Sequence, residues 1–577
     1  MLLDIINIIC EYIQKNEILK LAKTNKEYYR YIMNEKTIMK KYRFKITQEV
    51  KNLDFISKLS YKIFNIDLGY ININDEDMKY LDEIDSINIE NCKNITDKGL
   101  KYLKNVRVLN MKSCWQDNIT DRGLNYLTRI EELNISNCSQ KTLTKQAFIN
   151  MKKIRKLDAV CCFNIKDDYI DHLTSLEVLN VNACRLTDNA FGKLINLRKL
   201  NISNTTLSDK CLINLKKLEI LIMFKSRYIT DAGFQYLKGI KKLDISHCNI
   251  SANGLQYLYN IKHLSMQFCN IIDIGLSYIQ GIKYLDISGC TYLITDLGFS
   301  YLKGIHTLLI NNISDFYGDG FLDYQSVDDG LHITPNAFKY LQGIHRLEIT
   351  DRQNNAINDE ALSYLKEIKV LNISGCCSPY ISSLGFKNLS SLTHLNISSC
   401  NQSLLNDKTL KYLPNLHTLD ISYCIQFTDN AFPYLSNLHT LNMNHCNQLS
   451  ITDNAFSYLS NLHTLNMMHC NQISITSKAF SYLSHIYSLN IKSCNQSTIS
   501  DHIFQYLNHV HTLDISLLNI SIYTPYCFSF IQNIPSVTIN SNIHISTGFI
   551  TSSGKYIYQH IYKDFFSIPS YLLPNLQ

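Results

Sequence analysis

An α/β solenoid, with parallel strands stacked along one side and short helices along the other, is the architecture that this sequence predicts. Three observations lead there. One short pattern recurs at steps of about 21 to 24 residues through most of the 577-residue chain. Each copy holds a Leu-x-Ile pair alternating with period two, the mark of a strand with one buried face. Each pair is followed by a polar turn and then by apolar residues at helical spacing. Such a unit cannot bury its apolar face alone, and stacked neighbours make a continuous core.

The strand is read from phrases such as Leu133-Asn134-Ile135 and Leu419-Asp420-Ile421. The same frame runs from a degenerate copy near Ile66 through Ile87, Leu109 and their successors to Val537, roughly 20 copies within residues 46–542. The helix is read from phrases such as Ile95-Thr96-Asp97-Lys98-Gly99-Leu100-Lys101-Tyr102-Leu103. There Thr96 is placed to cap, Asp97 suits the positive end of the helix dipole, and Leu100 and Leu103 share a face. Strands pack closer than helices, so the stack is expected to curve into a horseshoe, sheet concave and helices convex.

The phrase Leu-x-x-Leu-x-Leu-x-x-Cys followed by Ile-Thr-Asp-x-Gly-Leu resembles the cysteine-containing leucine-rich repeats. Clear copies of the second half are Ile229-Thr230-Asp231-Ala232-Gly233-Phe234 and Ile294-Thr295-Asp296-Leu297-Gly298-Phe299. The resemblance covers over four-fifths of the chain, and its repeats here are slightly short. Cys92, Cys114, Cys138, Cys162, Cys184, Cys248, Cys269, Cys290, Cys376, Cys400, Cys424, Cys446, Cys470 and Cys494 recur with the repeat. They are read as small buried side chains at the strand-to-turn corner rather than a metal or redox series. Cys10, Cys161, Cys211, Cys377 and Cys527 lie outside this ladder and show no motif.

Residues 1–45 do not fit the repeat. Leu3, Ile6, Ile9 and Ile13, then Ile18, Leu21 and Ala22, sit at helical spacing, with a polar break at Gln14-Lys15-Asn16 between them. The order Leu2-Leu3-Asp4-Ile5-Ile6 followed by Glu17-Ile18-Leu19-Lys20-Leu21 and Tyr28 resembles an F-box, although the usual proline is missing and Tyr28 stands near the usual tryptophan. The pairing with cysteine-type repeats is characteristic of substrate adaptors of cullin ubiquitin ligases. By that resemblance Leu3, Ile5, Ile6, Ile9, Leu19 and Leu21 form the apolar set that faces a Skp-type adaptor or the module's own core. The Asn- and Ile-rich, Gly-poor style is similar to proteins of giant viruses such as mimivirus. The other reading of residues 1–45 is a plain helical cap on the first repeat.

Candidate contact residues come from departures within the repeat. Its central strand position is mostly Asn or Asp, read as part recognition surface and part amide ladder. The copy around Leu221 instead carries Ile220, Ile222 and Phe224 on the expected concave side; Phe268 and Leu309 are further apolar departures. Exposed apolar clusters mark interaction sites, though a local irregularity could bury these groups instead. An insertion of about 15 residues near 312–332 holds Phe316, Tyr317, Phe321 and Tyr324, and insertions in repeat proteins project as loops on one face. Its aspartates lack the fixed glycine and terminal glutamate of an EF-hand loop. His417, His439, His463 and His511 recur with the repeat and are not read as ligands. Residues 543–577 are the candidate C-terminal cap, since a solenoid must cover its last repeat.

Composition narrows the classes further. The net charge is only +6, with lysines spread along the chain, so no nucleic-acid partner is expected. No apolar stretch approaches the ~18 residues of a membrane span, and the first residues lack the basic leader of a signal peptide. Nineteen cysteines without the close pairing expected of zinc ligands fit reduced thiols in a cytoplasmic or nuclear setting, a host cell's if the chain is viral. Glycosylation sequons at Asn201-Ile202-Ser203, Asn372-Ile373-Ser374 and Asn396-Ile397-Ser398 fall inside expected strands and agree with that. No Gly-rich phosphate loop, nucleophile elbow or zinc-protease motif appears. The expectation is therefore a non-enzymatic protein-binding adaptor without cofactor or metal: the F-box-like module binds a Skp-type adaptor and cullin complex, and the repeats bind a target protein. The alternative is a repeat scaffold with no link to ubiquitin.

Overall fold

The computed structural model describes residues 44–45, 53, 64–290, 294–311, 332–350, 356–518, 534, 536–540 and 543–546. Its residues fall into two compact units, Met1–Ser265 and Met266–Gln577.

In the first unit the strands are β1 (Phe44–Lys45), β2 (Asn65–Asp67), β3 (Ser86–Asn88), β4 (Val108–Asn110), β5 (Glu132–Asn134), β6 (Lys156–Asp158), β7 (Val178–Asn180), β8 (Lys199–Asn201), β9 (Ile220–Ile222), β10 (Lys242–Asp244) and β11 (His263–Ser265). Each pairs in parallel with the next, and the register sets core residue on core residue: Ile87 beside Leu109, Leu109 beside Leu133, Leu200 beside Leu221. The second unit repeats the scheme with β12 (Tyr284–Asp286), β13 (Thr307–Asn311), β14 (Arg346–Thr350), β15 (Val370–Asn372), β16 (His394–Asn396), β17 (Thr418–Asp420), β18 (Thr440–Asn442), β19 (Thr464–Asn466), β20 (Ser488–Asn490), β21 (Thr512–Asp514) and β22 (Ser536–Asn540). A final strand, β23 (Ile543–Ser546), pairs antiparallel with β22. The sequons at Asn201, Asn372 and Asn396 begin at the last residues of β8, β15 and β16.

One repeat shows how the sequence produces the unit. In β5 only Leu133 points inward; Ile135 follows it into the core, and both are 1% exposed. The chain then turns at Asn137, whose φ of 60° is left-handed, and buries Cys138. Thr144 caps a short 3-10 helix, Lys145–Ala147, by accepting the Gln146 amide. Phe148, Met151 and Ile154 complete the buried set before the next strand. Each large aliphatic or aromatic side chain so buried contributes about 1.5–3 kcal/mol. Among the described residues the helices are only three to seven residues long, and many are 3-10 rather than α, because a 21- to 24-residue period leaves no room for more.

The insertion near 312–332 leaves the pairing intact. Leu308 lies beside Leu347 as if no extra residues intervened, and β13 and β14 are lengthened to five residues each, adding Ile310 beside Ile349. Phe316, Tyr317, Phe321 and Tyr324 lie outside the described residues. So do Leu3, Ile5, Ile6, Ile9, Leu19 and Leu21, and so does the C-terminal segment beyond β23.

Candidate interaction surface

The outward strand face is built from the residues that alternate with the buried Leu and Ile. Its Asn and Asp side chains do structural duty at one end. The Oδ1 of Asn134 accepts the Ser136 amide at 2.9 Å, that of Asn201 the Ser203 amide at 3.0 Å, and that of Asp420 the Ser422 amide at 2.9 Å. The same i to i+2 bond recurs at Asn372, Asn396 and Asn490. The carbonyl end thus fixes the turn, in the manner of an Asx turn. The amide end bonds along the sheet at some positions, as Asn442 Nδ2 does to Asp420 at 2.8 Å. The bonds along the sheet are those of the amide ladder.

The apolar departures divide. Ile220, Ile222 and Phe224 do share one face of the first unit, and all three are half-buried. Ile220 is flanked by Lys199 and Lys242, Ile222 by Asn201 and Asp244. The Phe224 ring meets His247 edge-on at 5.0 Å. Leu309 lies in the second unit, half-buried on β13 between Asp286 and Glu348. Phe268 corrects the expectation of a strand-face residue: it occupies the left-handed turn position, φ 53°, and its ring covers Gly289. A Cβ at Gly289 would come within 2.6 Å of that ring.

Two features were invisible as contacts in the sequence. First, the residues preceding β3 to β10 carry charges of alternating sign, from Asp85 to Lys241. Arg107 is bidentate to Asp85 at 2.7 and 2.6 Å and reaches Glu131 at 3.4 Å. Arg155 pairs with Glu177, Arg198 with Glu219, and Lys241 with Glu219 at 2.8 Å. Bonds from Lys241 and Arg198 hold the Glu219 carboxyl below the ordinary range. Signs alternating every repeat was the available signal. Second, the same edge of the second unit carries stacked imidazoles. His417 and His439 lie 5.2 Å apart and near-parallel, as do His439 and His463. Each holds a backbone carbonyl through Nδ1, at Asn415, Asn437 and Asn461. Tyr487 and His511 stack likewise at 4.7 Å. Rings stacked face to face do not converge on a point, and among the described residues no three His, Cys, Asp or Glu side chains group to hold a metal. No helix among them is long and apolar enough to cross a membrane.

The cysteine ladder is a hydrogen-bonded one. Cys114 Sγ donates to the Ile89 carbonyl at 3.1 Å, Cys162 to Ile135 at 2.9 Å, and Cys424 to Ile397 at 3.1 Å, each reaching the preceding repeat. Ser226 takes the place of cysteine once and makes the equivalent bond to Ile202 at 3.0 Å. Burial pushes the Cys114 thiol up to about 11 and Cys162 up to about 12, so these sulfurs are inert thiols rather than nucleophiles.

With strand, turn, helix and register in place, the comparisons fall into line. The model of the BspA type leucine rich repeat region matches residues 331–463 and 449–576, in six copies. The fold is a leucine-rich-repeat solenoid. Among solved structures, the crystal structure of a TLR13-ssRNA13 complex matches at TM-score 0.50 and 20% identity. That match covers 76% of this chain and 63% of the other, so the chain spans under two thirds of the matched structure. Likeness at that identity concerns the fold alone. No curated protein matches the chain. The matched model is the BspA type, whereas the cysteine at the strand-to-turn corner is what the sequence shares with the cysteine-containing leucine-rich repeats.

Proposed function

We propose that this chain is a non-catalytic, protein-binding scaffold whose leucine-rich repeats hold a target protein. The observation that carries the reading is the strand face. Within each unit it is a regular surface whose polar side chains are anchored at one end, and in the first unit it is interrupted by the half-buried Ile220, Ile222 and Phe224. A pre-ordered face of this kind loses little side-chain entropy on binding. We infer further that residues 1–45 act as an F-box-type module that joins the scaffold to a Skp-type adaptor and cullin complex. Support for this finer reading is the order of Leu3, Ile5, Ile6, Ile9, Leu19 and Leu21 in the sequence. The setting we propose is a reducing intracellular one; the buried free thiols and the sequons at strand ends favour it.

The test is capture of a purified Skp–cullin complex by the full-length chain, beside an Ile6→Asp/Ile9→Asp form with unchanged circular dichroism. Capture lost in the double variant supports the adaptor role. Equal capture by both forms, or by neither, overturns it and leaves the scaffold.

A further inference from the structure

The net charge of the chain is not evenly carried. Residues 141–265 hold 20 Lys and Arg against 10 Asp and Glu, more than the whole chain's surplus of +6. The sequence-level view of evenly spread lysines is corrected here. The acids of this segment are already engaged. Asp167, Asp188, Asp209 and Asp231 each bind the hydroxyl of the next repeat's helix cap. Glu177 and Glu219 hold Arg155, Arg198 and Lys241. Asp158, Asp168 and Asp171 pair with Lys156, Lys145 and Lys193, and Asp244 fixes its own turn at Ser246. The unbalanced charge therefore sits on the remaining lysines and on Arg185 and Arg227.

Three of those lysines line an open cleft of about 890 Å³ along the edge where β5 to β9 begin. Its floor is the alternating row of Glu131, Arg155, Glu177, Arg198 and Glu219. Lys152, Lys153 and Lys217 rise from its wall, all exposed. Lys217 is steered by a bond to Asn196 Oδ1 at 2.8 Å, and among the described residues Lys152 and Lys153 meet no carboxylate.

We propose that this cleft takes an acidic peptide segment of a partner protein, laid along the edge of the repeats. The inference rests on the protein-binding reading above. Carboxylates of the peptide meet Lys152, Lys153 and Lys217, while its backbone lies over a floor offering donors and acceptors by turns. Acidic side chains on alternate residues of an extended peptide come at about 6.6 Å, and successive repeats at about 4.8 Å, so a short segment spans the cleft. A single-stranded nucleic acid fits less well. No aromatic side chain lines the cleft for a base to stack on.

The measurement is fluorescence anisotropy of labelled deca-glutamate against the full-length chain at 50 mM NaCl. Saturable binding is expected, weakened at least tenfold by Lys152→Glu/Lys153→Glu/Lys217→Glu and unchanged by Lys98→Glu/Lys408→Glu on helices elsewhere. A milder Lys152→Ala/Lys153→Ala form, expected to weaken binding about threefold, covers the case in which the triple variant misfolds. Unaltered binding in the lysine variants, or deca-thymidylate binding as tightly as deca-glutamate, overturns the proposal. So does the absence of deca-glutamate binding by a preparation whose circular dichroism shows the repeats folded; the cleft alone then fails, because the scaffold reading rests on the strand face and not on this edge.

Discussion

The repeat turns at a residue that must adopt a left-handed backbone, and this chain seldom spends glycine there. Asn91, Ser113, Asn137, Cys161, Ala183, His247, Tyr423 and His469 all have φ near 60° immediately before the ladder cysteine or its equivalent. Gly289 and Gly375 alone among these positions are glycine. A non-glycine residue pays about 1–2 kcal/mol for that conformation. Ala183 has no side-chain hydrogen bond to recover it, so Ala183→Gly should stabilise the protein by about 1 kcal/mol, read as a higher urea midpoint at unchanged slope. The cysteine that follows has its own pH signature. Folding holds Cys114 and Cys162 as thiols, with values up at about 11 and about 12, while unfolded thiols ionise near 8.5. A raised acid contributes stability below its unfolded value and loses it as pH climbs toward the folded one. Stability should therefore fall progressively above about pH 9, and thermal melts at pH 8, 9 and 10 would show it; a melting temperature flat across that range would contradict the buried ladder.

At the scale of the element, the motif Thr-Asp-x-Gly acquires a reason. Thr120 caps the helix Asp121–Leu124 by accepting the Arg122 amide. It is itself held by the preceding repeat: Asp97 accepts its amide at 2.8 Å and its hydroxyl at 2.6 Å. The sequence had suggested only a dipole role for Asp97. Its larger part is to staple one helix start to the next, and glycine at position 123 leaves room, since a Cβ there would lie 2.3 Å from the Asp97 carboxylate. The staple recurs at Asp121 with Thr144, Asp429 with Thr452, and Asp453 with Thr476, and it survives the insertion as Asp296 with Thr334. It is missing where Lys145 replaces the aspartate; the next helix, Asp167–Ile170, starts at Lys166 with no side-chain cap. Installing both halves with Lys145→Asp/Lys166→Thr should raise stability by about 1–2 kcal/mol. The lost Lys145–Asp168 contact at 3.9 Å is exposed and costs little. Chemical denaturation of the double variant beside each single one tests this, because neither single change completes the staple.

At the scale of the whole molecule, the bonds described so far lie within a repeat or join it to its sequence neighbour, from Asx turn and helix cap to Leu-on-Leu register, thiol, staple and charge ladder. Stability in such a stack is a sum of local terms. Asp97→Ala should accordingly speed hydrogen exchange at Thr120 and its adjoining repeats while leaving amides of residues 418–466 unchanged. Uniform acceleration along the chain would instead mean that the molecule opens as one cooperative body.

Much of this was legible in the residues themselves. Period-two Leu-x-Ile at a constant step dictates a strand with one buried face, and about 20 copies dictate a stack, because no single copy can cover its own core. The cap at Thr96 and the burial of the cysteines were readable for the same reason: each depends on its own repeat's pattern. Contacts across the stack were not readable, because their partners stand 20 or more residues apart and carry no local mark. Asp97 looks like a dipole residue until Thr120 is seen above it, and Phe268 looks like a strand-face residue until its backbone turns left-handed. The charges of Glu131, Arg155 and Glu177 look scattered until register lines them along one edge. Sequence periodicity determined what each repeat is; only the stacking of one repeat on the next decided which side chains meet.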